Sequence, residues 1–322
     1  MARVHEYTGS ELELLLPWPA DDANKYSRGK AVLVAGCARY PGAACLAARA
    51  AQRAGAGYTE AWCAPEAVAC VRAASPSLVV SPWDGLLELG KLERACGARG
   101  GADCYPVTVN DARVEAVRAA TFPAARDGRP MAYLVGSGFD AADETTSDLV
   151  RTVLANAQAP VVVDGGGLAA LAEPDLRAAL RRRFAEGRAT ILTPHAGEAA
   201  RLARPLDVAL DDPVAAVQAL SRAYGAVVAL KGPVTYVSDG ERVAREGRGT
   251  PALAKAGTGD VLAGIVVALA AQGLGAYDAA VLGVALHARA GRIAAKRLTS
   301  ICVVAEDIVE LIPAAVQAIG SY

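Results

Sequence analysis

Lys255-Ala256-Gly257-Thr258-Gly259-Asp260-Val261-Leu262-Ala263-Gly264 sets a turn of small residues directly ahead of an apolar helical run. A helix that begins there aims its free N–H groups and the positive end of its dipole at the turn, which makes an anion site. Gly257 and Gly259 let the backbone close on a phosphate. Asp260, at the mouth of the helix, is placed to take the proton of a hydroxyl that attacks that phosphate. The same letters also read as plain helix punctuation, with Asp260 a capping residue and the glycines turning the chain.

Outward from this turn, short β-branched runs alternate with longer Ala- and Leu-rich stretches, as in parallel strands covered by helices on both faces. Strands are expected at 31–35, 58–63, 78–81, 132–135, 161–164, 190–192, 227–230 and 234–238. Helices are expected at 43–54, 145–157, 214–224, 260–272, 276–296 and 306–312, the last stopped by Pro313. The fold class is therefore α/β, a three-layer domain with its site at the carboxyl ends of the strands. Residues 86–127 have weak periodicity and carry two cysteines, so they are the least legible stretch.

Composition removes several function classes. The 322 residues carry 33 Lys plus Arg against 34 Asp plus Glu, a net charge of −1, which argues against a general nucleic-acid binder. Aromatics are only 5% of the chain, too few to stack single-stranded bases. The seven cysteines include no C-x-x-C pair and read as reduced, cytosolic thiols. No secretion signal is visible, and the longest apolar run, 261–271, is well short of the ~18 residues of a membrane span, so a soluble cytoplasmic protein is expected. Three histidines without an H-x-x-x-H pair offer no transition-metal ligand set. Neither a Walker A, a G-x-G-x-x-G nor a G-x-S-x-G sequence is present.

Further motifs fall at strand-to-helix junctions. In Thr193-Pro194-His195-Ala196-Gly197-Glu198, Glu198 can orient magnesium through water and His195 can touch phosphate or substrate. Alternatively, Glu198 is the second half of a capping box. Lys231-Gly232 follows an apolar strand, where the lysine serves as a phosphate counter-charge or is simply a surface residue. Asp164 ends a strand ahead of three glycines, suited to magnesium or a hydroxyl, or to a turn. Gly36 to Ala44 is a Gly-bounded loop able to bind a ligand, and His287, within an apolar helix, reads as a buried structural histidine.

Together and in order, these segments resemble the NAD(P)H-hydrate dehydratases, a branch of the ribokinase-like superfamily. The matching pieces are Tyr26-Ser27-Arg28-Gly29-Lys30, Gly36 with Pro41-Gly42-Ala43-Ala44, Gly55-Ala56-Gly57, Thr193-Pro194-His195 with Gly197-Glu198, Lys231-Gly232, Gly257-Thr258-Gly259-Asp260 and Leu286-His287. The resemblance implies a ribokinase-like α/β/α fold with a mainly parallel sheet, and a repair enzyme that dehydrates NAD(P)H hydrate with ADP or ATP and Mg2+. It makes Asp260 the catalytic base and Ala256, Gly257, Thr258 and Gly259 the anion hole. Lys231 and Glu198 then belong to the phosphate and magnesium site, with Asp164 a further metal candidate. His195 and Pro41, Gly42 and Ala43 face the hydrated nicotinamide, and Lys255 fits the pattern as a residue within reach of phosphate.

Two segments depart from the family pattern: Gly136-Ser137-Gly138-Phe139-Asp140 stands for Gly-Pro-Gly-Leu-Gly, and Asp164-Gly165-Gly166 lacks a second acid. The reading divides the chain into an extension, 1–25, and a dehydratase domain, 26–322, that dehydrates without epimerising. By resemblance it is a homo-oligomer acting on a small molecule, with no nucleic acid or membrane. Two other functions fit the glycine-rich turn: a ribokinase-like kinase for a vitamin precursor or sugar, and an inactive nucleotide-binding sensor.

Overall fold

The computed structural model describes residues 3–97, 109–122 and 129–319. Its centre is one sheet, built from β1 (Val4–His5), β2 (Lys30–Val34), β3 (Tyr58–Cys63), β4 (Val79–Pro82), β5 (Met131–Val135), β6 (Val161–Val163), β7 (Thr190–Leu192), β8 (Val227–Leu230), β9 (Thr235–Ser238) and β10 (Val243–Glu246). The order across the sheet is β1-β10-β9-β8-β7-β6-β5-β2-β3-β4. Among the described strands, only β9 runs against its neighbours. Strands β2, β5, β6 and β7 are buried almost throughout, as a parallel sheet covered on both faces requires.

The helices are α1 (Gly9–Glu13), α2 (Pro41–Arg53), α3 (Val68–Ala74), α4 (Asp84–Gly97), α5 (Val109–Thr121), α6 (Glu144–Asn156), α7 (Gly166–Ala170), α8 (Pro174–Ala185), α9 (Ala196–Ala203), α10 (Pro213–Tyr224), α11 (Thr258–Ala271), α12 (Ala276–Cys302) and α13 (Ala305–Gln317). One layer is formed by α2, α11, α12 and α13, which pack on one another. The other contains α4, α6, α8 and α10. The chain thus has the expected three-layer α/β/α architecture.

All eight expected strands are present, with small shifts at their ends. The two additional ones, β1 and β10, are short and lie beyond the β8–β9 pair, and β1 comes from the stretch read as an extension. In the weakly periodic stretch the structure shows α4 and α5, while residues 98–108 and 123–127 of it, Cys104 included, lie outside the described residues. Pro313 does not end the last helix: α13 continues to Gln317 because Ile308, Val309, Ile312 and Ala315 bury one continuous face. That burial outweighs the one backbone bond proline removes. Helix α12 extends past Lys296, with a break at Thr299, whose φ is 64°.

α11 is apolar around its circumference because it is covered on all sides. It lies so close to α2 that a Cβ on Gly264 would come within 2.2 Å of the Ala47 carbonyl oxygen. In an exposed helix Gly→Ala stabilises by about 1 kcal/mol. Here Gly264→Ala should instead lose roughly 1–3 kcal/mol through overpacking. Urea unfolding checks the sign, and an unchanged or raised midpoint would contradict this close packing.

Candidate functional site

Five parallel strands deliver their carboxyl ends to one edge, and the sheet order reverses between β2 and β5 there. The two loops at the reversal are stapled by backbone bonds, Gly36 N–H to Ser137 O and Cys37 N–H to Gly138 O, each 2.9 Å. Gly136, at φ 111°, passes so close to the next loop that a Cβ would lie 2.2 Å from the Asp164 oxygen. Pro41, Gly42 and Ala43 open α2 beside this loop, a Cβ on Gly138 falling 2.6 Å from that of Ala43.

Asp164, at the end of β6, is 3% exposed and is the hub of the next cluster. The Thr193 hydroxyl donates to its Oδ1 at 2.6 Å and the Ser137 hydroxyl to its Oδ2 at 3.2 Å. Lys231 Nζ, from the end of β8, pairs with Oδ1 at 2.9 Å and lies 3.9 Å from Glu198 Oε2. Lys231 is therefore largely buried, which corrects the surface-lysine alternative. Burial alone would lower its ammonium, but Asp164 and Glu198 hold it above its ordinary range.

The capping alternative for Glu198 is realised. His195 Nδ1 accepts from the Gly197 and Glu198 amides at 3.0 and 3.4 Å, and the Glu198 carboxylate accepts from the His195 amide at 2.8 Å. The cap and the charge contact are compatible, since the cap holds the carboxylate beside Lys231. Burial raises the Glu198 carboxyl, partly offset by Lys231.

Asp260 does not cap α11. The N-cap is Gly257, at φ 88°, and the cap makes no side-chain hydrogen bond. Gly259 lies under Lys231, a Cβ there falling 3.4 Å from Nζ. Ala256 and Gly257 precede this turn, and Thr258 and Gly259 line a cleft of about 660 Å³ that also touches His195, Lys231 and Lys255. Asp260 is not part of that cleft wall. Its carboxyl faces Ser137, Asp164 and Lys231, and burial, reinforced by Asp164, pushes it up to about 7.

The structure thus gathers Lys231, Glu198, His195, Asp164, Gly259 and Asp260 at one edge, with the Pro41–Ala43 turn reached through Gly138. Ser137 and Thr193 were not singled out from sequence as site residues. Their signal is position alone, immediately past the ends of β5 and β7. Among the described residues, no group of three or more His, Cys, Asp or Glu side chains is arranged to hold a metal ion. Asp164 and Glu198 suit Mg2+ only as carboxylates near an ion whose other ligands are phosphate oxygens and water.

Fold and site together define a ribokinase-like α/β protein. The chain matches the model of the NAD(P)H-hydrate dehydratase family over residues 31–314 and belongs to that family. It is 35% identical to an ADP-dependent (S)-NAD(P)H-hydrate dehydratase of Xanthomonas campestris pv. campestris, over 97% of this chain and 96% of that one. It is 38% identical to the bifunctional NAD(P)H-hydrate repair enzyme Nnr of Salinibacter ruber, covering 92% of this chain and half of that protein. In fold it is similar to the Bacillus subtilis ADP/ATP-dependent NAD(P)H-hydrate dehydratase co-crystallised with ATP/Mg2+, with a TM-score of 0.74, 22% identity and coverage of 98% and 99% of the two chains.

Two consequences can be measured. A carboxyl at about 7, against an ordinary 3.8, makes the native state bind more protons than the unfolded state between those values, so stability falls as pH rises through that window. Asp260→Asn cannot ionise, so relative to wild type it should gain on the order of a few kcal/mol at pH 8 compared with pH 4. A difference that does not vary with pH would mean an ordinary carboxylate. Lys231→Ala strands the Asp164 carboxylate and should cost roughly 3 kcal/mol, as for a broken buried pair. An unshifted melting temperature would contradict the pairing.

Proposed function

We propose that this protein repairs hydrated NADH or NADPH, using ADP or ATP to phosphorylate the ring hydroxyl and then eliminating phosphate. The observation that carries this reading is Asp260, a carboxyl that burial raises to about 7 beside Lys231 at the start of α11. Family membership supplies the substrate class.

The nucleotide lies in the cleft with its terminal phosphate at the Ala256–Gly259 turn, held by backbone amides and Lys231. The hydrate enters from the Asp260 side, against Pro41, Gly42, Ala43 and His195. Asp260 takes the hydroxyl proton as that oxygen attacks the terminal phosphorus, whose bond to the nucleotide's bridging oxygen breaks to release AMP or ADP. The ring nitrogen's lone pair then expels phosphate, and loss of a proton from the adjacent ring carbon restores the dihydropyridine. Mg2+, bound with the phosphates near Glu198 and Asp164, supplies charge neutralisation. Residues 26–322 form the working domain, in a cytoplasmic homo-oligomer, as the family resemblance implies.

With NAD(P)H hydrate, Mg2+ and ADP or ATP, inorganic phosphate and the absorbance of reduced nicotinamide should appear in equal amounts. Asp260→Asn should bind nucleotide yet turn over slower by on the order of 10² or more. Accumulation of a stable phosphorylated compound would instead establish a kinase, and binding without turnover a sensor.

A further inference from the structure

Three cysteines come together where α2, α3 and β3 meet: Cys45 on α2, Cys70 on α3 and Cys63 at the end of β3. The mechanism above uses none of them. α2 and α3 pack on each other, and Gln52 Nε2 donates to Ser77 Oγ at 3.1 Å, tying the end of α2 to the chain that leaves α3. The Cys45 thiol donates to the Cys70 carbonyl oxygen at 3.9 Å and lies within hydrogen-bond reach of the Cys70 thiol. These two residues are 25 positions apart in the sequence, so the fold, and not the chain, sets their thiols side by side. Exposure grades the cluster: Cys70 is exposed, Cys45 half-buried and Cys63 buried.

We propose that Cys45 and Cys70 form a site of reversible oxidation by hydroperoxides, at which the native fold accepts a disulfide between α2 and α3. This chemistry is independent of the reaction in the cleft. A thiol is oxidised as its thiolate and where the oxidant can reach it, and Cys70 is the member of the cluster open to solvent. Its thiolate sulfur displaces hydroxide from hydrogen peroxide, the O–O bond breaking to leave a sulfenic acid. The Cys45 sulfur then attacks that sulfur. The S–S bond forms as the S–O bond breaks, and the hydroxyl leaves as water with the Cys45 proton. In sum, two thiols and one peroxide give one disulfide and two waters, the sulfurs losing two electrons and the peroxide gaining them. Burial, reinforced by Cys70, pushes the Cys45 thiol up to about 12, and burial raises Cys63 to about 11, so neither is the first to react. Proximity compensates for the weak acidity of Cys45, which meets the sulfenic acid as an intramolecular partner. An exposed cysteine with a second beside it stops oxidation at the disulfide, short of the irreversible acids.

The test is to treat the reduced full-length protein with equimolar hydrogen peroxide under native conditions, block the remaining thiols by alkylation and digest with trypsin without reduction. Peptide 40–49 should appear joined to peptide 54–72 and lighter than their sum by two hydrogens, with fragmentation placing the bond at Cys70. Dithiothreitol should release both peptides. The bridged protein should melt a few degrees higher than the reduced one, because the bond restrains the unfolded chain. Cys63→Ser should keep the bridge and Cys70→Ser should lose it, while Cys45→Ser should leave a sulfenic acid at Cys70 that dimedone captures. Peptide mapping of the wild type decides the matter even where a variant fails to fold. Absence of the joined peptides, a bond at Cys63 in place of Cys70, or a bridged protein that melts no higher than the reduced one overturns the proposal.

Discussion

The pair between Lys231 and Asp164 is the contact on which the rest of the site depends. Parallel strands bring their carboxyl ends to one edge but do not fix the loops that follow. Here four of those ends are tied through a single carboxylate: Asp164 itself follows β6, and its partners Ser137, Thr193 and Lys231 follow β5, β7 and β8. The hydroxyl donors offset the desolvation of a buried ion pair, which alone tends to be neutral or unfavourable. The same pairing fixes the ammonium above Gly259, so the α11 turn and the strand edge share one charge.

Most of this framework was legible because its signals are local. The strands at 31–35, 161–164 and 227–230 are continuous apolar runs, and the Gly257–Asp260 turn announces a helix start. Helix α8 was not expected, since Pro174 to Ala185 is rich in arginine and shows a narrow apolar stripe. The structure explains it by burying Arg183 completely, with its guanidinium donating to the carbonyls of Leu154, Ala157, Ala159 and Ala189. No single-sequence pattern distinguishes that arginine from its exposed neighbours. The roles of Ser137 and Thr193 were hidden for the same reason, because they exist only once distant loops meet on Asp164. Glu198 shows the converse: its capping reading is realised, and the same cap sets its carboxylate 3.9 Å from Lys231.

The departures from the family pattern can also be weighed physically. Ser137 stands where the family has proline, and its hydroxyl gives the buried Asp164 carboxylate a donor that proline lacks. At Gly165 and Gly166, where a second acid is absent, the backbone of the β5 loop occupies the space: a Cβ on Gly166 would fall 2.6 Å from the Phe139 oxygen. No larger side chain fits there without moving that loop. The glycines and the close passage of Gly136 are thus one packing solution, and Asp164 remains the acid of this strand end.

Charge then sets how the site can work. Three carboxyl groups, Asp164, Glu198 and Asp260, share the Lys231 ammonium, and burial raises both Glu198 and Asp260. Burial raises Asp260 to about 7, a poise that suits the base of the proposed reaction. In the proposed reaction a nucleotide adds further negative charge, which by itself would raise Asp260 still further. In the proposed reaction, positive charge arriving with the phosphates, as a divalent cation bound to them would supply, offsets that shift. The α11 amides contribute in the same direction, because the positive end of the dipole faces both the phosphate turn and the Asp260 carboxyl. In the proposed reaction, electrostatics thus ties the ionisation of Asp260 to the charge assembled around it.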